Sequence, residues 1–268
     1  MKHLFVAISS ALLALATTSC DLFEAHPYDT NVSGDKHLTD TNIALIETQM
    51  EGRTEMRFAM ISDTQRWYDE TQDVVDVINE RGDIDFVVHG GDQSDFGLTD
   101  EFTMQRDILQ KLDMPFVVAL GNHDCLGTGL VTYNTVYGDE NFAFTAGNVR
   151  FIVLNTNGLD LDFPDDVPDF DFIANELDNL PANIEKTIFL MHAKPYSDQF
   201  PDRCEEFEQW VNAFPNTQFC IYGHNHDLTV DDLFDDGVIY YQCPNIAKRY
   251  YLVFTIYDDG YDYEAETF

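Results

Sequence analysis

The sequence predicts an α/β protein whose strands are parallel in the first half of the chain and antiparallel near its end. Two observations support this prediction. Short apolar runs alternate with helical stretches in units of about thirty residues, which is the length of a βαβ crossover. Late in the chain, apolar runs follow one another across turns such as Asp259-Gly260 without an intervening helix, as antiparallel strands do. The 268 residues, of which 44% are hydrophobic, supply a core for one domain and exclude a wholly disordered chain.

The first half contains three predicted strands separated by two predicted helices. The strands are the apolar runs Met56–Ile61, Ile84–His89 and Pro115–Leu120. Apolar residues recur at helical spacing over Thr71–Arg81, which Gly82 ends, and over Thr99–Leu112, for which Thr99 is the predicted N-cap.

The pattern changes in the second half, where a hairpin is predicted. Asn141–Thr145 and Val149–Asn155 are the two strands of this hairpin, and residues 158–170 form a loop rich in Gly, Pro and Asp. Two further helices are predicted at Asp169–Leu180 and Cys204–Phe214, and further strands at Thr187–Met191, Gln218–Tyr222, Val238–Cys243, Arg249–Tyr257 and Tyr261–Glu266.

The first twenty residues have the features of an export signal. Two basic-type residues precede Leu4–Ala16, an apolar run of thirteen residues that is too short to span a bilayer. The following segment resembles a bacterial lipoprotein signal with Cys20 as the lipidated first residue of the mature chain, although Thr17 stands where such signals usually carry a large aliphatic residue. The alternative is an ordinary secretory signal cleaved after Ala16. We therefore predict a signal peptide at 1–19, a tether at 20–41 and one domain at 42–268, in an exported, membrane-anchored lipoprotein that faces the periplasm or the cell exterior.

The charge of the chain limits its partners. With 14 Lys and Arg against 49 Asp and Glu, the formal net charge is −35, which repels nucleic acid and excludes non-specific binding to it. Contact with a membrane is expected only through the lipid at Cys20. A phosphate-ester substrate would need strong local positive charge, which bound metal ions could supply. The remaining cysteines form no C-x-x-C pair, and Cys220 and Cys243 lie in apolar runs that predict core positions.

Residues that bind metals directly follow five of the predicted strands. Because functional side chains of α/β sheets gather at the carboxyl ends of parallel strands, we expect these residues to lie close together. Their carboxylate, amide and imidazole groups suit transition metals such as Mn, Fe or Zn. They are Asp63 and Gln65, Asp92 and Asp95, Asn122 and His123, His192, and His224 and His226.

The order of these motifs resembles that of the calcineurin-like metallophosphoesterases, over about residues 56–226. The family pattern is D-x-H, G-D-x-x-D, G-N-H-D/E, a single H and G-H-x-H. The resemblance implies a four-layer α-β-β-α sandwich of two mixed sheets, and hydrolysis of phosphate esters at a centre of two metal ions. The departure from the pattern is Gln65, at a position where the family usually has His.

The resemblance also assigns roles to individual residues. Asp63, Gln65 and His226 would bind the first metal, and Asp92 would bridge both. Asn122, His192 and His224 would bind the second. His123, oriented by Asp95, would assist the leaving group during attack by a metal-bound hydroxide.

We therefore expect an exported, monomeric phosphoesterase that uses two divalent or trivalent ions. The alternatives are a phosphodiesterase that acts on cyclic nucleotides or other diesters, and a surface binding lipoprotein that keeps the fold but is impaired in catalysis by Gln65. Arg66 and Lys194 are candidate substrate contacts, and Trp67 and Lys248 are further candidates whose position the sequence does not define.

Overall fold

The structure is a computed structural model that describes residue 26, residues 28–164 and residues 166–268. The predicted signal peptide and Cys20 lie outside these residues and stay predictions. The described helices are α1 (Leu38–Met50), α2 (Tyr68–Arg81), α3 (Thr99–Leu109), α4 (Gly129–Val136), α5 (Phe170–Asp178) and α6 (Cys204–Ala213). The described strands are β1 (Met56–Ile61), β2 (Phe86–His89), β3 (Phe116–Val118), β4 (Phe142–Ala146), β5 (Val149–Leu154), β6 (Lys186–Met191), β7 (Thr217–Tyr222), β8 (Thr229–Asp232), β9 (Ile239–Gln242), β10 (Tyr250–Tyr257) and β11 (Gly260–Thr267).

These strands form two mixed sheets, which confirms the predicted fold class. Within the described chain, the first sheet has the order β11-β10-β1-β2-β3 and the second has the order β4-β5-β6-β7-β9-β8. β1, β2 and β3 are parallel, as are β5, β6, β7 and β9. The antiparallel pairs lie on one side of the first sheet, where β10 joins the edge strand β11 to β1, and at both edges of the second sheet, β4 and β8.

Alternation along the strands builds three apolar layers. In β1, Phe58 and Met60 face the second sheet, whereas Ala59 and Ile61 pack among residues of α2, α3 and α4. This period of two is the one expected of a strand buried on both faces. The second sheet repeats the arrangement, since its outer face packs against α5 and α6. The result is the predicted succession of helix layer, two sheets and helix layer.

Helix α1 corrects the predicted domain boundary. It begins at Leu38, inside the predicted tether 20–41, and it packs against the edge strands β3 and β4. Val32 and Leu38 are buried in the core. The packed part of the chain therefore begins before residue 42. The sequence pattern did not indicate this helix, because α1 also buries the polar residues Thr39 and Asn42.

The start of α3 also differs from the prediction. Thr99 is its first helical residue, and its hydroxyl bonds the Asp29 carbonyl and, at 3.1 Å, the Thr132 hydroxyl. The free backbone N–H groups before the helix are satisfied by Glu101, which accepts bonds from Phe96 and Leu98, both at 3.0 Å. Thr99 thus holds the N-terminal segment against the fold instead of capping α3.

The environment of the cysteines can be read directly from the fold. Cys220 and Cys243 are fully buried, as predicted, and the cysteines at 125, 204, 220 and 243 are all free thiols.

Within the described part of the chain, no helix is long and apolar enough to cross a membrane.

Candidate metal centre

Seven predicted ligands meet where the loops after β1, β2, β3, β6 and β7 converge. Each lies within a few residues of the carboxyl end of its strand, and an unbroken series of contacts joins all seven. They are Asp63, Gln65, Asp92, Asn122, His192, His224 and His226.

The set predicted for the second metal surrounds one amide oxygen. Asn122 Oδ1 lies 3.1 Å from His192 Nε2 and 3.0 Å from His224 Nδ1. His192 Nε2 in turn lies 3.4 Å from Asp92 Oδ1. Ligands bound to a metal at about 2.0–2.2 Å are separated from each other by about 3.0–3.5 Å in octahedral and tetrahedral geometries. These four groups therefore already have the spacing of one coordination shell.

The set predicted for the first metal lies on the other side of Asp92. Gln65 Nε2 donates to Asp92 Oδ2 at 3.3 Å, and His226 Nε2 lies 3.3 Å from Asp63 Oδ1. The two oxygens of Asp92 thus face different ligand sets, Oδ1 toward His192 and Oδ2 toward Gln65. In the described chain, Asp63, Asp92 and His192 also form a buried group whose ligand atoms all lie within 4.8 Å of one another. The donors present fit a metal centre.

Several of these ligands have a left-handed backbone conformation. Asp63, Asp92, His224 and His226 have φ angles of 53°, 59°, 72° and 64°, and Gln65 has φ 30°. Such angles are uncommon for residues other than glycine and cluster at functional sites. Gly121 is required for a different reason, since a Cβ there would lie 2.0 Å from the Asp92 backbone nitrogen. The loops approach each other too closely for any side chain at that point.

The tautomer of His192 is suited to metal binding. Its Nδ1 lies 2.8 Å from the Gly90 carbonyl and donates to it, so Nε2 is the nitrogen that faces the site and could bind a metal in place of its proton. Burial alone would lower the pKa of His192, but the Asp92 carboxylate raises it to about 9. Burial likewise opposes ionisation of Asp92, yet His192 holds the pKa of Asp92 below its usual value. The carboxylate field that attracts this proton would equally attract a metal cation.

A second buried histidine supports the loop that carries Asp92. Burial lowers the pKa of His89 to about 4, so the ring is neutral at physiological pH. Its Nδ1 accepts the Gly91 N–H at 3.1 Å, and Nε2–H therefore donates to the Thr64 hydroxyl at 3.0 Å. His89 joins the loops after β1 and β2.

Asp124 is a residue whose role the sequence reasoning missed. Its two buried oxygens accept backbone N–H groups of Asp92, Gln93, Ser94 and Gly121 at 2.9–3.0 Å, and the Ser94 hydroxyl at 2.9 Å. Burial and the nearby Asp92 carboxylate raise the pKa of Asp124 to about 7, whereas hydrogen bonds such as those from Ser94 and Gly121 stabilise its ionised form. Asp124 thereby fixes the loop of Asp92 against the loop of Asn122, and its place directly after Gly121-Asn122-His123 was the available signal.

Two more carboxylates, from loops without any motif, hold ligands of the second set. Asp160 Oδ2 accepts from Asn122 Nδ2 at 3.0 Å and from Gln199 Nε2 at 2.6 Å. Asp198 Oδ1 lies 2.9 Å from His224 Nε2, and hydrogen bonding to His224 lowers the pKa of Asp198. A carboxylate on the outer nitrogen of a metal-binding imidazole is a common supporting contact. No motif in the sequence marks Asp160 or Asp198.

His123 lies beside this centre, and the main chain of Asp95 holds its ring. Its backbone N–H donates to Asp92 Oδ1 at 2.9 Å, and its ring Nδ1 donates to the backbone carbonyl of Asp95 at 2.9 Å. The Asp95 carboxylate lies 4.0 Å from Nδ1 and pairs with Arg66 at 2.5 Å. Asp95 therefore orients His123 through its main chain, because its side chain is occupied by Arg66.

The two predicted substrate cations have different positions. Arg66 lines a cavity together with Gln65 and His226. Lys194 instead pairs with Asp231 at 3.2 Å and lies over the Tyr222 ring, 5.5 Å from its centroid. Its ammonium group is held by an acidic partner on the edge strand β8, and its role as a substrate contact stays a prediction.

Comparisons with known proteins match this arrangement. The family model described as calcineurin-like phosphoesterase matches residues 56–228. A 3',5'-cyclic-nucleotide phosphodiesterase of Nostoc sp. is 26% identical over 154 residues, which cover 54% of this chain and 57% of the relative. The match thus spans little more than half the length of that curated relative.

Two solved structures share the fold at low sequence identity. A dimetal phosphatase from Danio rerio is 14% identical with a TM-score of 0.63, covering 79% of this chain and 96% of the other. GAP50, described as the anchor in the inner membrane complex of Plasmodium, is 14% identical with a TM-score of 0.58, covering 80% and 85%. At this identity the likeness extends to the fold and no further.

Proposed function

Since the chain belongs to the calcineurin-like phosphoesterase family, and thereby to the metal-dependent phosphoester hydrolases, we propose that it hydrolyses phosphate esters at a centre of two metal ions. One observation carries the proposal. Asp92 is buried between the two predicted ligand sets, with Oδ1 3.4 Å from His192 Nε2 and Oδ2 accepting from Gln65 Nε2 at 3.3 Å. A carboxylate placed in this way suits a bridge between two cations.

The proposed roles of the chain's own residues follow from their contacts. Asp63, Gln65 and His226 would hold the first ion, and Asn122, His192 and His224 the second, with Asp92 shared. When bound, such ions supply positive charge for the phosphate and lower the pKa of a water. This supply matters because the chain carries a formal net charge of −35, which would otherwise repel the substrate.

His123 is the proposed proton donor to the leaving oxygen. Its Nδ1–H is held by the Asp95 carbonyl at 2.9 Å, so Nε2 is the atom left to give up a proton. Its backbone N–H bonds Asp92, which keeps the ring next to the ligand sets. General acid assistance of this kind typically contributes about 10²–10⁴-fold to the rate.

Phosphodiesters are the substrates that we test first. The Nostoc relative is named as a phosphodiesterase of 3',5'-cyclic nucleotides. This name favours a diester substrate over a monoester. We also propose that the protein is exported and anchored through a lipid on Cys20, on the strength of the N-terminal sequence pattern.

A metal-supplemented screen tests the proposed chemistry. Chelator-treated protein should lose activity on bis-p-nitrophenyl phosphate and p-nitrophenyl phosphate, and Mn²⁺ or a similar ion should restore it, with elemental analysis giving the metal count. Full activity of metal-free protein would refute the proposal. A protein that binds one ion or none and hydrolyses neither ester would instead favour a binding lipoprotein of the same fold.

A further inference from the structure

A cavity of about 410 Å³ opens beside the first-metal set and is not accounted for by the metal ligands. Gln65 and His226 form the wall toward the centre. The other walls are formed by Arg66, Trp67, Asn245, Ala247 and Lys248. Resting on the proposed function, we propose that this cavity binds the organic group of the substrate, and that this group is an uncharged aromatic group of nucleoside size. The volume is within the range of small-molecule sites, about 300–1,000 Å³.

One wall of the cavity is formed by residues outside the segment that the family model matches. It is the short turn Ile246–Lys248 after β9, which lies beyond the family match at 56–228. Asn245 Oδ1 accepts the Ala247 N–H at 2.8 Å, and the Asn245 N–H donates to the His226 carbonyl at 3.3 Å. The turn is thus fixed relative to a predicted metal ligand, as a wall that reads the substrate would need to be.

Trp67 presents a fixed aromatic surface to the cavity. One side of the residue packs against the core cluster beneath α2 and α3. Its backbone is held as well, since its N–H donates to the Thr64 carbonyl at 2.8 Å and its carbonyl accepts from Thr71. A side chain held in this way loses little conformational entropy when a planar group stacks on it.

The charges of the walls favour an uncharged group over a second phosphate. Arg66 pairs with Asp95 at 2.5 Å, and Lys248 pairs with Asp227. Each cation therefore has its own carboxylate, and the cavity offers no excess positive charge, although both cations keep N–H groups for polar acceptors such as ring nitrogens. A polyphosphate chain placed here would find no net positive charge to balance its own negative charge.

One wall of the cavity is connected to the proposed proton donor through Asp95. Arg66 bonds the carboxylate of Asp95, and the carbonyl of the same residue accepts from His123 Nδ1 at 2.9 Å. The proposed proton donor and the cavity wall are therefore connected through one residue.

Calorimetry with a matched pair of non-hydrolysable ligands tests this inference on metal-loaded protein. One ligand is methylphosphonate, and the other is the adenosine phosphonate in which methylene replaces the 5' ester oxygen, so only the nucleoside differs. Wild type should bind the adenosine compound at least about tenfold more tightly. Trp67→Leu should remove most of this advantage, and Lys248→Gln should reduce it, while both keep the affinity for methylphosphonate and the metal content.

The control is Lys111→Gln, which removes a lysine that contacts Gln72 on α2 and does not line the cavity. It should bind both ligands as wild type does. If Trp67→Leu fails to fold, Lys248→Gln carries the test, because Lys248 is half-exposed. Equal binding of the two ligands by wild type, or an advantage that survives both substitutions, would overturn the inference. The assay measures binding and not turnover. An inactive enzyme would therefore contradict the proposed function, while the affinities for the two ligands could still be compared.

Discussion

Removing the Asp160 carboxylate should weaken the second metal site without changing any ligand. Asp160 Oδ2 accepts from Asn122 Nδ2 at 3.0 Å and thereby decides which end of the amide faces the two histidines. In Asp160→Ala the amide can rotate, and its nitrogen, which is a poor metal ligand, can then replace Oδ1. Gln199 loses its 2.6 Å acceptor in the same variant, so the loop that carries Asp198 is also less firmly held.

The expected magnitude follows from the contact that is lost. A hydrogen bond to a charged group contributes about 1.5–3 kcal/mol, and outer contacts of metal ligands typically change metal affinity by about 10–100-fold, which corresponds to about 1.4–2.7 kcal/mol. We therefore expect the affinity of the second site to fall by about 10–100-fold in Asp160→Ala. Asp160→Asn keeps an acceptor for Asn122 Nδ2 but loses the charge, and should fall between this variant and wild type.

The assay is calorimetric titration of metal-free protein with Mn²⁺ or Zn²⁺, with metal content measured after gel filtration. Asp162→Asn is the matched control, because it removes one negative charge two residues away, where asparagine also suits the left-handed φ of 63°. Unchanged metal binding in Asp160→Ala would refute the reasoning. A loss equal to that in Asp162→Asn would show that overall charge, and not the orientation of Asn122, is responsible.

Three further predictions address the centre and the export signal. Asp92→Ala should lose both ions, whereas His123→Ala should keep them and turn over about 10²–10⁴-fold more slowly, because Asp92 serves both ligand sets and His123 touches them only through its backbone N–H. Elemental analysis with steady-state kinetics separates the two, and a metal-free His123→Ala protein would contradict the assignment. Gln65→His should raise the metal affinity of the first site and reduce the Mn²⁺ concentration needed for full activity, since imidazole is the stronger ligand. This prediction is wrong if the wild-type protein keeps two ions through gel filtration and its activity does not respond to added Mn²⁺. Cys20→Ala should release the chain into the soluble exported fraction and abolish labelling by a fatty-acid probe, whereas an unlabelled wild-type chain beginning near Thr17 would support ordinary cleavage after Ala16.

The parts of the fold that the sequence predicted are those whose burial leaves a pattern. β6 is buried at every position, so its residues form an apolar run with a clear end. β8 was missed because it is an edge strand of Thr, Val and two Asp residues, each at least partly exposed, and only pairing with β9 makes it a strand. α4 was missed as well, because it begins at Gly129, and glycine argues against a helix start.

The candidate site divides in the same way. Residues such as Asp63 and His192 could be predicted because they directly follow apolar strands. Asp160 and Asp198 could not, since no motif surrounds either residue and one more carboxylate among 49 acidic residues carries no information. Their roles depend on which loops the two sheets bring together, and local sequence does not record that.

The left-handed backbone at the metal ligands has a consequence for laboratory evolution. Each such conformation costs a residue with a side chain about 1–2 kcal/mol, and five occur here, at Asp63, Gln65, Asp92, His224 and His226. Their combined cost of about 5–10 kcal/mol is comparable to the whole stability of an ordinary domain. Selection of metal-free libraries for heat resistance should therefore enrich glycine and asparagine at these five positions, and so erase the centre. The same library selected with metal present should keep the five residues, because bound ions favour the folded state that these angles define.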